Sequence, residues 1–353
     1  IKESSLAENV EKVCNYSSLV NPEVELDQEK KKVLVEFGDP NTHKALHIGH
    51  VRNFSLGESI CRLLEANGNR VFRANYQGDI GLHVAKALWV VQNLENEYKK
   101  ARDDSLEEKI NFLGESYVKG ASVYEDDEQK KLEIDDLNKK LYLKDQKIMA
   151  LWEETRHWSL DYFETIYKIF GVKYDMYTFE SEVESIGKKY VEENMGKVFI
   201  KDEGAIIFPG EKYGLHSRVF ITSAGNPTYE AKEIGVTQVQ REAFDYDQAL
   251  ILVANEVDEY FKVVLKAMEF VFPDLQGRKR NLSYGFVNIK GGKMSSRKGN
   301  VVTWDDLYSQ VKSQVEKIVK EHKDIQAEEK ESIIDTVSIG AIKFSMLKFS
   351  PQT

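Results

Sequence analysis

Apolar positions along the chain change period several times. Val33, Leu34 and Val35, followed by Phe37, form a short apolar run that predicts a buried strand. Ile48, Val51, Phe54, Cys61 and Leu64 then recur at spacings of three and seven, a helical stripe that stops at Asn67-Gly68. Arg70 to Tyr76 reads as a second strand, closing on Gly78-Asp79. A strand, helix and strand of these lengths predict a parallel βαβ unit. From about residue 84 to 196 the chain reads as helical and highly charged, with no proline between Pro40 and Pro209 to interrupt it. Charge runs such as Glu125 to Glu128 and Lys130-Lys131 fit solvated helix faces. Val198 to Ile200, Ala205 to Phe208 and Arg218 to Thr222 are short apolar runs separated by Gly and Asp, as in a small antiparallel sheet. Ala249 to Val253 is continuously apolar, the signature of a strand buried on both faces. A helix over 258–271 and a strand over Leu282 to Ile289 follow, and Thr303 caps another helix with Asp305 and Asp306 in its first turn.

This order predicts an α/β protein with a Rossmann-like parallel sheet, split by a largely helical insertion that ends in a small antiparallel sheet. The expected divisions are a helix and connector over 1–31, the first half of a nucleotide fold over 32–83, and an insertion over 84–230 with strands from about 197. The second half of the fold then spans 231–303, and a helical segment spans 304–353. A ligand belongs in the crevice at the carboxyl ends of the parallel strands. A length of 353 residues suits two or three such units. The net charge of −10 excludes a chain coated in positive charge, though a local basic stripe for nucleic acid is compatible with it. Cys14 and Cys61 are the only cysteines, which rules out a disulfide framework and fits a reducing, cytoplasmic setting. No stretch has the length of a membrane span and no signal peptide is visible, so no membrane partner is expected. A start at Ile1 and a stop at Thr353, just past an apolar helical run, suggest a piece of a longer protein.

Two motifs carry candidate chemistry. His47-Ile-Gly-His50 falls where the first strand hands over to a helix N-terminus, a place whose unpaired N–H groups and positive dipole end attract phosphate. Gly49 there lets a nucleotide such as ATP approach the backbone. Taken alone, the four residues also fit a satisfied surface histidine pair. His43, His47 and His50 raise a metal site, but no cysteine or carboxylate cluster completes a shell, so no metal is expected on them. The second motif, Lys293-Met-Ser-Ser-Arg-Lys-Gly299, sets Lys293, Arg297 and Lys298 on a glycine-flanked turn between strand and helix. Cations there suit a departing pyrophosphate, and Ser295 and Ser296 add hydroxyl donors. A solvated basic turn is the bland alternative. Two phosphate-like motifs in opposite halves of one fold are a less probable accident than either alone.

Together, His47-Ile-Gly-His50 and Lys293-Met-Ser-Ser296 resemble the paired hallmarks of class I aminoacyl-tRNA synthetases. Val35-Glu-Phe, Pro40-Asn41, Lys44, Asn75-Tyr-Gln-Gly-Asp79, Asn226-Pro-Thr-Tyr229 and Lys293 to Val302 narrow the likeness to arginyl-tRNA synthetases, from about residue 30 onward. The resemblance implies ATP-dependent activation of L-arginine to an adenylate and its transfer to tRNA(Arg), by a cytoplasmic monomer. Mg2+ would accompany ATP, with no ligand set readable, and activation would require bound tRNA. Implied ATP contacts are His47, Gly49, His50, Met294, Ser295 and Ser296, and implied catalytic groups are Lys44, His47, His50, Lys293 and Lys298. Many class I enzymes carry Lys where this chain has Ser296, so Lys44, Lys293 and Lys298 would supply the charge. Glu36, Asn41, Tyr229 and Glu233 match substrate-contacting positions, although the family usually has Asp at the position of Glu233. Tyr229 and Glu233 are one helical turn apart and can face one pocket. The family often places Gln in the block matching Val253 to Asp258, where Asn255 or Glu256 would substitute. A guanidinium prefers such carboxylates in fork geometry.

Other readings share parts of this pattern. A class I lysyl-tRNA synthetase would also suit an acidic pocket. A nucleotidylyltransferase leaves the insertion and the other blocks unexplained, and intact motifs count against a catalytically silent tRNA-binding relative. The family resemblance also implies flanking domains, with Ile339 to Ser350 as the linker helix toward one that binds the anticodon. The 353 residues alone would then charge tRNA poorly.

Overall fold

The computed structural model describes residues 30–285, 302–322 and 326–348. The predicted N-terminal helix and the motif at 293–299 lie outside them. The chain runs β1 (Lys32–Glu36), α1 (Ile48–Ala66), β2 (Arg70–Gln77), then five helices in succession. These are α2 (Leu82–Asn93), α3 (Glu95–Asp103), α4 (Leu106–Asp126), α5 (Glu128–Tyr142) and α6 (Gln146–Phe170). Next come β3 (Met176–Phe179), α7 (Glu180–Glu193), β4 (Ile200–Asp202), β5 (Ala205–Phe208), β6 (Arg218–Ile221) and α8 (Tyr229–Ala243). β7 (Gln248–Ala254), α9 (Asp258–Val271), β8 (Lys279–Tyr284), α10 (Trp304–Glu321) and α11 (Ala327–Leu347) complete it.

Among the described residues the main sheet has five strands in the order β3-β2-β1-β7-β8, every pairing parallel. β4, β5 and β6 form the antiparallel sheet. Three predictions are corrected. The stretch read as helical to 196 contains β3, which forms an edge of the parallel sheet. Four residues between two long helices are too few to show a period of two. The first antiparallel strand begins at Ile200, and Val198 and Phe199 are buried in the turn before it. β8 begins at Lys279, ahead of the predicted Leu282, and the predicted stretch past Gly285 lies outside the described residues.

β1 is buried on both faces, which explains its unbroken apolar run. Val33 and Val35 face a core built with Phe37, Phe54, Phe163, Phe170 and Trp304. Leu34 faces the opposite core, with Ala74, Ala231, Ile234, Ala249 and Val264. Glu36 follows Leu34 by two residues, so the alternation of a strand sends a carboxylate toward the same side as α8. α8 reaches that position because it packs closely on α7. A Cβ on Gly187 would overlap the Ala231 carbonyl oxygen, and one on Gly235 would overlap that of Val183.

The helical insertion is fastened at Asp79, just past β2. Its fully buried carboxylate accepts from Arg156 Nε at 2.8 Å, from Ser181 N–H at 2.9 Å and from Ser181 Oγ at 2.7 Å. Trp152 Nε1 donates to the Asp79 carbonyl at 2.6 Å. One acidic residue thereby joins the sheet, α6 and the start of α7. Gly187→Ala, which forces α7 and α8 apart, is expected to lower stability by about 2 kcal/mol, read as a lower urea midpoint.

Candidate functional site

At the carboxyl ends of β1, β2 and β7 the fold leaves a cavity of about 380 Å³. Glu36, Asp39, Glu180 and Glu233 line it, with Asn41, Tyr76, Gly78, Tyr229 and an apolar wall that includes Ile251, Val253 and Tyr260. No Lys or Arg is among its described lining residues. Each element delivers its residue for a local reason. Gly38 and Asp39 both take positive φ after β1, which turns the chain so that Asn41 pairs with Gly78 beyond β2. A side chain at Gly78 would overlap Asn41 Oδ1 and displace that amide. Tyr229 and Glu233 occupy successive turns at the start of α8.

The carboxylates are crowded. Gln240 Nε2 donates to Glu36 Oε2. Glu233 Oε2 is buried with no hydrogen-bond partner among the described residues. Burial first, and repulsion from Glu36 second, push the Glu233 carboxyl up to about 8. Asp39 is raised by the same two causes, although it accepts the Tyr76 N–H at 3.0 Å. Glu180 is paired with Lys232 at 3.2 Å, and Lys232 also donates to Tyr142 Oη at 3.2 Å. Burial still raises Glu180 to about 6.

The histidine motif caps α1. The Gly49 N–H donates to His47 Nδ1 at 3.2 Å and the His47 N–H donates to His50 Nδ1 at 3.1 Å, a reciprocal capping box. With both Nδ1 atoms accepting, Nε2 is the protonated nitrogen of each neutral ring. Burial and the nearby Lys44 push His47 down to about 4; burial, His47 and Lys44 lower His50. The rings lie 3.9 Å apart. Lys44 Nζ sits over the Tyr117 ring of α4 at 4.7 Å.

Lys293, Met294, Ser295, Ser296 and Lys298 lie outside the described residues. The chain returns at Val302 directly against the histidine motif. The Ile48 N–H donates to the Val302 carbonyl at 3.0 Å and the Trp304 N–H to the Leu46 carbonyl at 2.9 Å. Val302 and Trp304, just past the second motif in sequence, are therefore hydrogen-bonded to the start of the first.

Of the substrate residues read from the sequence, Glu36, Asn41, Tyr229 and Glu233 share the cavity. Asn255 does not line it; the residue is exposed on a single 3-10 turn, while Val253 and Val257 of that block do line the cavity. His47, Gly49 and His50 lie outside its lining. His43 is also set apart from the motif: it is buried, with Nε2 2.8 Å from Thr155 Oγ1 and its N–H donating to Ser159 Oγ at 3.0 Å. Among the described residues no cluster of His, Cys, Asp or Glu is arranged to hold a metal ion. Sequence reasoning missed Asp39, Glu180 and Gln240. Asp39 lies in the turn between Glu36 and Asn41 and was within reach of a local argument. Glu180 and Gln240 had no local signal, because long-range folding brings them to the site.

The raised Glu233 has a thermodynamic consequence. Between its ordinary value near 4.5 and about 8, the folded protein holds a proton that the unfolded chain has lost. Stability contributed this way is complete at low pH and falls as pH rises through that window. Glu233→Gln is expected to flatten the fall in urea midpoint between pH 5 and pH 8 and to be more stable than the parent at pH 8.

Residues 16–351 match the family described as tRNA synthetases class I (R), catalytic domain. The arginine–tRNA ligase of Borreliella afzelii is 30% identical over 329 residues, covering 91% of this chain and 56% of that protein. That of Flavobacterium psychrophilum is 31% identical over 346 residues, covering 91% of this chain and 57% of that protein. The chain thus spans a little over half the length of these curated relatives. The arginyl-tRNA synthetase structure from Thermus thermophilus aligns with a TM-score of 0.74 at 22% identity, covering 97% of this chain and 62% of that one. The one from Plasmodium falciparum aligns with a TM-score of 0.70 at 18% identity, covering 97% and 59%. The parallel sheet, the acidic cavity at its carboxyl edge, the capped histidine motif and a family match over most of the chain's length lead to one conclusion: this chain belongs to the class I arginyl-tRNA synthetase family, through its catalytic domain.

Proposed function

We propose that the protein containing this chain activates L-arginine with ATP and transfers it to tRNA(Arg). The observation that carries the reading is the cavity beside Glu36. Its lining holds four carboxylates, with no described Lys or Arg among them, and in one of the four, Glu233, the Oε2 atom is buried with no hydrogen-bond partner among the described residues. That arrangement is destabilised when empty and relieved by a cation. A guanidinium has five donors in one plane and suits carboxylates approaching from β1 and from α8. Asn41, beside Gly78, would take the α-amino group.

In the first step the arginine carboxylate oxygen attacks the α-phosphorus of ATP. The bond to the bridging oxygen breaks, and pyrophosphate leaves with its electron pair. In the second step a hydroxyl of the terminal ribose of tRNA attacks the acyl carbon, and AMP departs. No protein nucleophile is required; the protein positions the reactants and stabilises developing charge. His47 and His50 would act as neutral Nε2–H donors to phosphate at the N-terminus of α1. Lys44, Lys293 and Lys298 would supply positive charge to the leaving group, and the stitching of Val302 to Ile48 supports a role for the second motif beside the first. Mg2+ is expected with the ATP phosphates and a monomer is expected, while two cysteines in the chain accord with a reducing, cytoplasmic setting. Among the described residues no helix is long and apolar enough to cross a membrane.

Calorimetric titration tests this reading. Arginine is expected to bind at least tenfold more tightly than lysine, and Glu36→Gln to abolish measurable binding. At pH 7 binding should release about one proton, seen as a dependence of the heat on buffer ionisation enthalpy, because Glu233 must lose its proton to meet the guanidinium. The apparent affinity should rise up to tenfold per pH unit below about 8. Failure of arginine to bind with ATP and tRNA supplied, or equal binding of lysine, would overturn the assignment.

A further inference from the structure

Behind the cavity, between α8 and the sheet, lies a run of buried polar groups that substrate contact leaves unexplained. Glu233, Thr237 and Gln240 fall on one face of α8, at spacings of four and three residues. Lys279 opposes them from the first position of β8 and is only 8% exposed. Its Nζ donates to Thr237 Oγ1 at 2.9 Å and to Gln240 Oε1 at 3.4 Å. Thr237 Oγ1 in turn donates to the Glu233 carbonyl at 2.8 Å. Gln240 and Thr237 are fully buried. Among the described residues no carboxylate lies within ion-pair distance of Lys279; its direct partners are neutral, and the Glu233 carboxyl acts on it only at longer range. Lysine is rarely buried this way, since desolvating it without a counter-charge is unfavourable.

The amide of Gln240 resolves the difficulty. Its oxygen faces Lys279 and its Nε2–H₂ donates to Glu36, so the two ends of one side chain join a cation to a carboxylate. The Lys279 contact also fixes which way round the amide lies, because an ammonium can only donate. We propose that Lys279 and Gln240 are positioning residues: a buried relay that aims the Glu36 carboxylate into the cavity and balances its charge while no substrate is bound. This rests on the assignment of arginine to that cavity. Charge transmitted through a polarised amide strengthens the Glu36 hydrogen bond, and a carboxylate held in one rotamer loses less freedom when a guanidinium docks. The relay touches neither ATP nor the reacting carboxylate, so its effect falls on arginine affinity.

The test is a double-mutant cycle on arginine binding and on ATP–pyrophosphate exchange, in the full-length protein with tRNA present. Lys279→Met and Gln240→Leu preserve volume. Each is expected to raise the KM for arginine about tenfold while leaving kcat and the KM for ATP within twofold. In the double variant the losses should coincide rather than multiply, because removing Gln240 already disconnects Lys279. Multiplying losses, or a fall in kcat with arginine KM unchanged, would overturn the relay. If Lys279→Met does not fold, Gln240→Leu alone still reads it, since an unchanged arginine KM in that variant refutes it. Wild-type protein that fails to bind arginine would instead refute the substrate assignment, and the two failures are distinguishable.

Discussion

A carboxylate buried at the end of a sheet strand is the constraint on which this site depends. Glu36 shares a face of β1 with Leu34, a position where a strand within a core ordinarily continues apolar. Placing a charge there obliges the neighbouring elements to answer it. Gln240 donates to it, and α8 comes close enough to do so because two glycines let α7 and α8 meet backbone to backbone. The same approach brings Glu233 near, and burial first, with repulsion from Glu36 second, raises its carboxyl. The crowding of carboxyls at the cavity therefore raises both Glu233 and Asp39.

The insertion is part of the site's architecture. Asp79 ties α6 to the start of α7, and Glu180 opens α7 directly after the edge strand β3. Tyr142, at the end of α5, reaches Lys232, which neutralises Glu180 on one side of the cavity. Helices distant in sequence thus set the charge of the pocket wall. At the N-terminus of α1, the capping box does two jobs with one pair of rings. It starts α1, and it consumes both Nδ1 atoms so that neutral Nε2–H donors remain.

Much of the frame was legible from local pattern. The period of β1, the stripe of α1 and the stop at Asn67-Gly68 are short-range signals, and the structure places those elements where the pattern put them. β3 was not legible, because four residues flanked by helices carry no period and their strand character comes from pairing with β2. Asn255 illustrates the converse limit. The matched block borders the cavity, but the backbone turns Asn255 outward and presents Val253 and Val257 instead.

The sequence by itself determined most of the alternation of strands and helices, the place of the histidine motif at a helix N-terminus, and four residues that meet in one cavity. Those follow from spacing, turn chemistry and side-chain type, all of which act over a few residues. Only the tertiary structure decided which carboxyl holds a proton, which is paired and which is aimed. Gln240 reaches Glu36 across 204 positions of sequence. Burial and the field of charges converging from separate elements set protonation, and neither exists until the chain has folded.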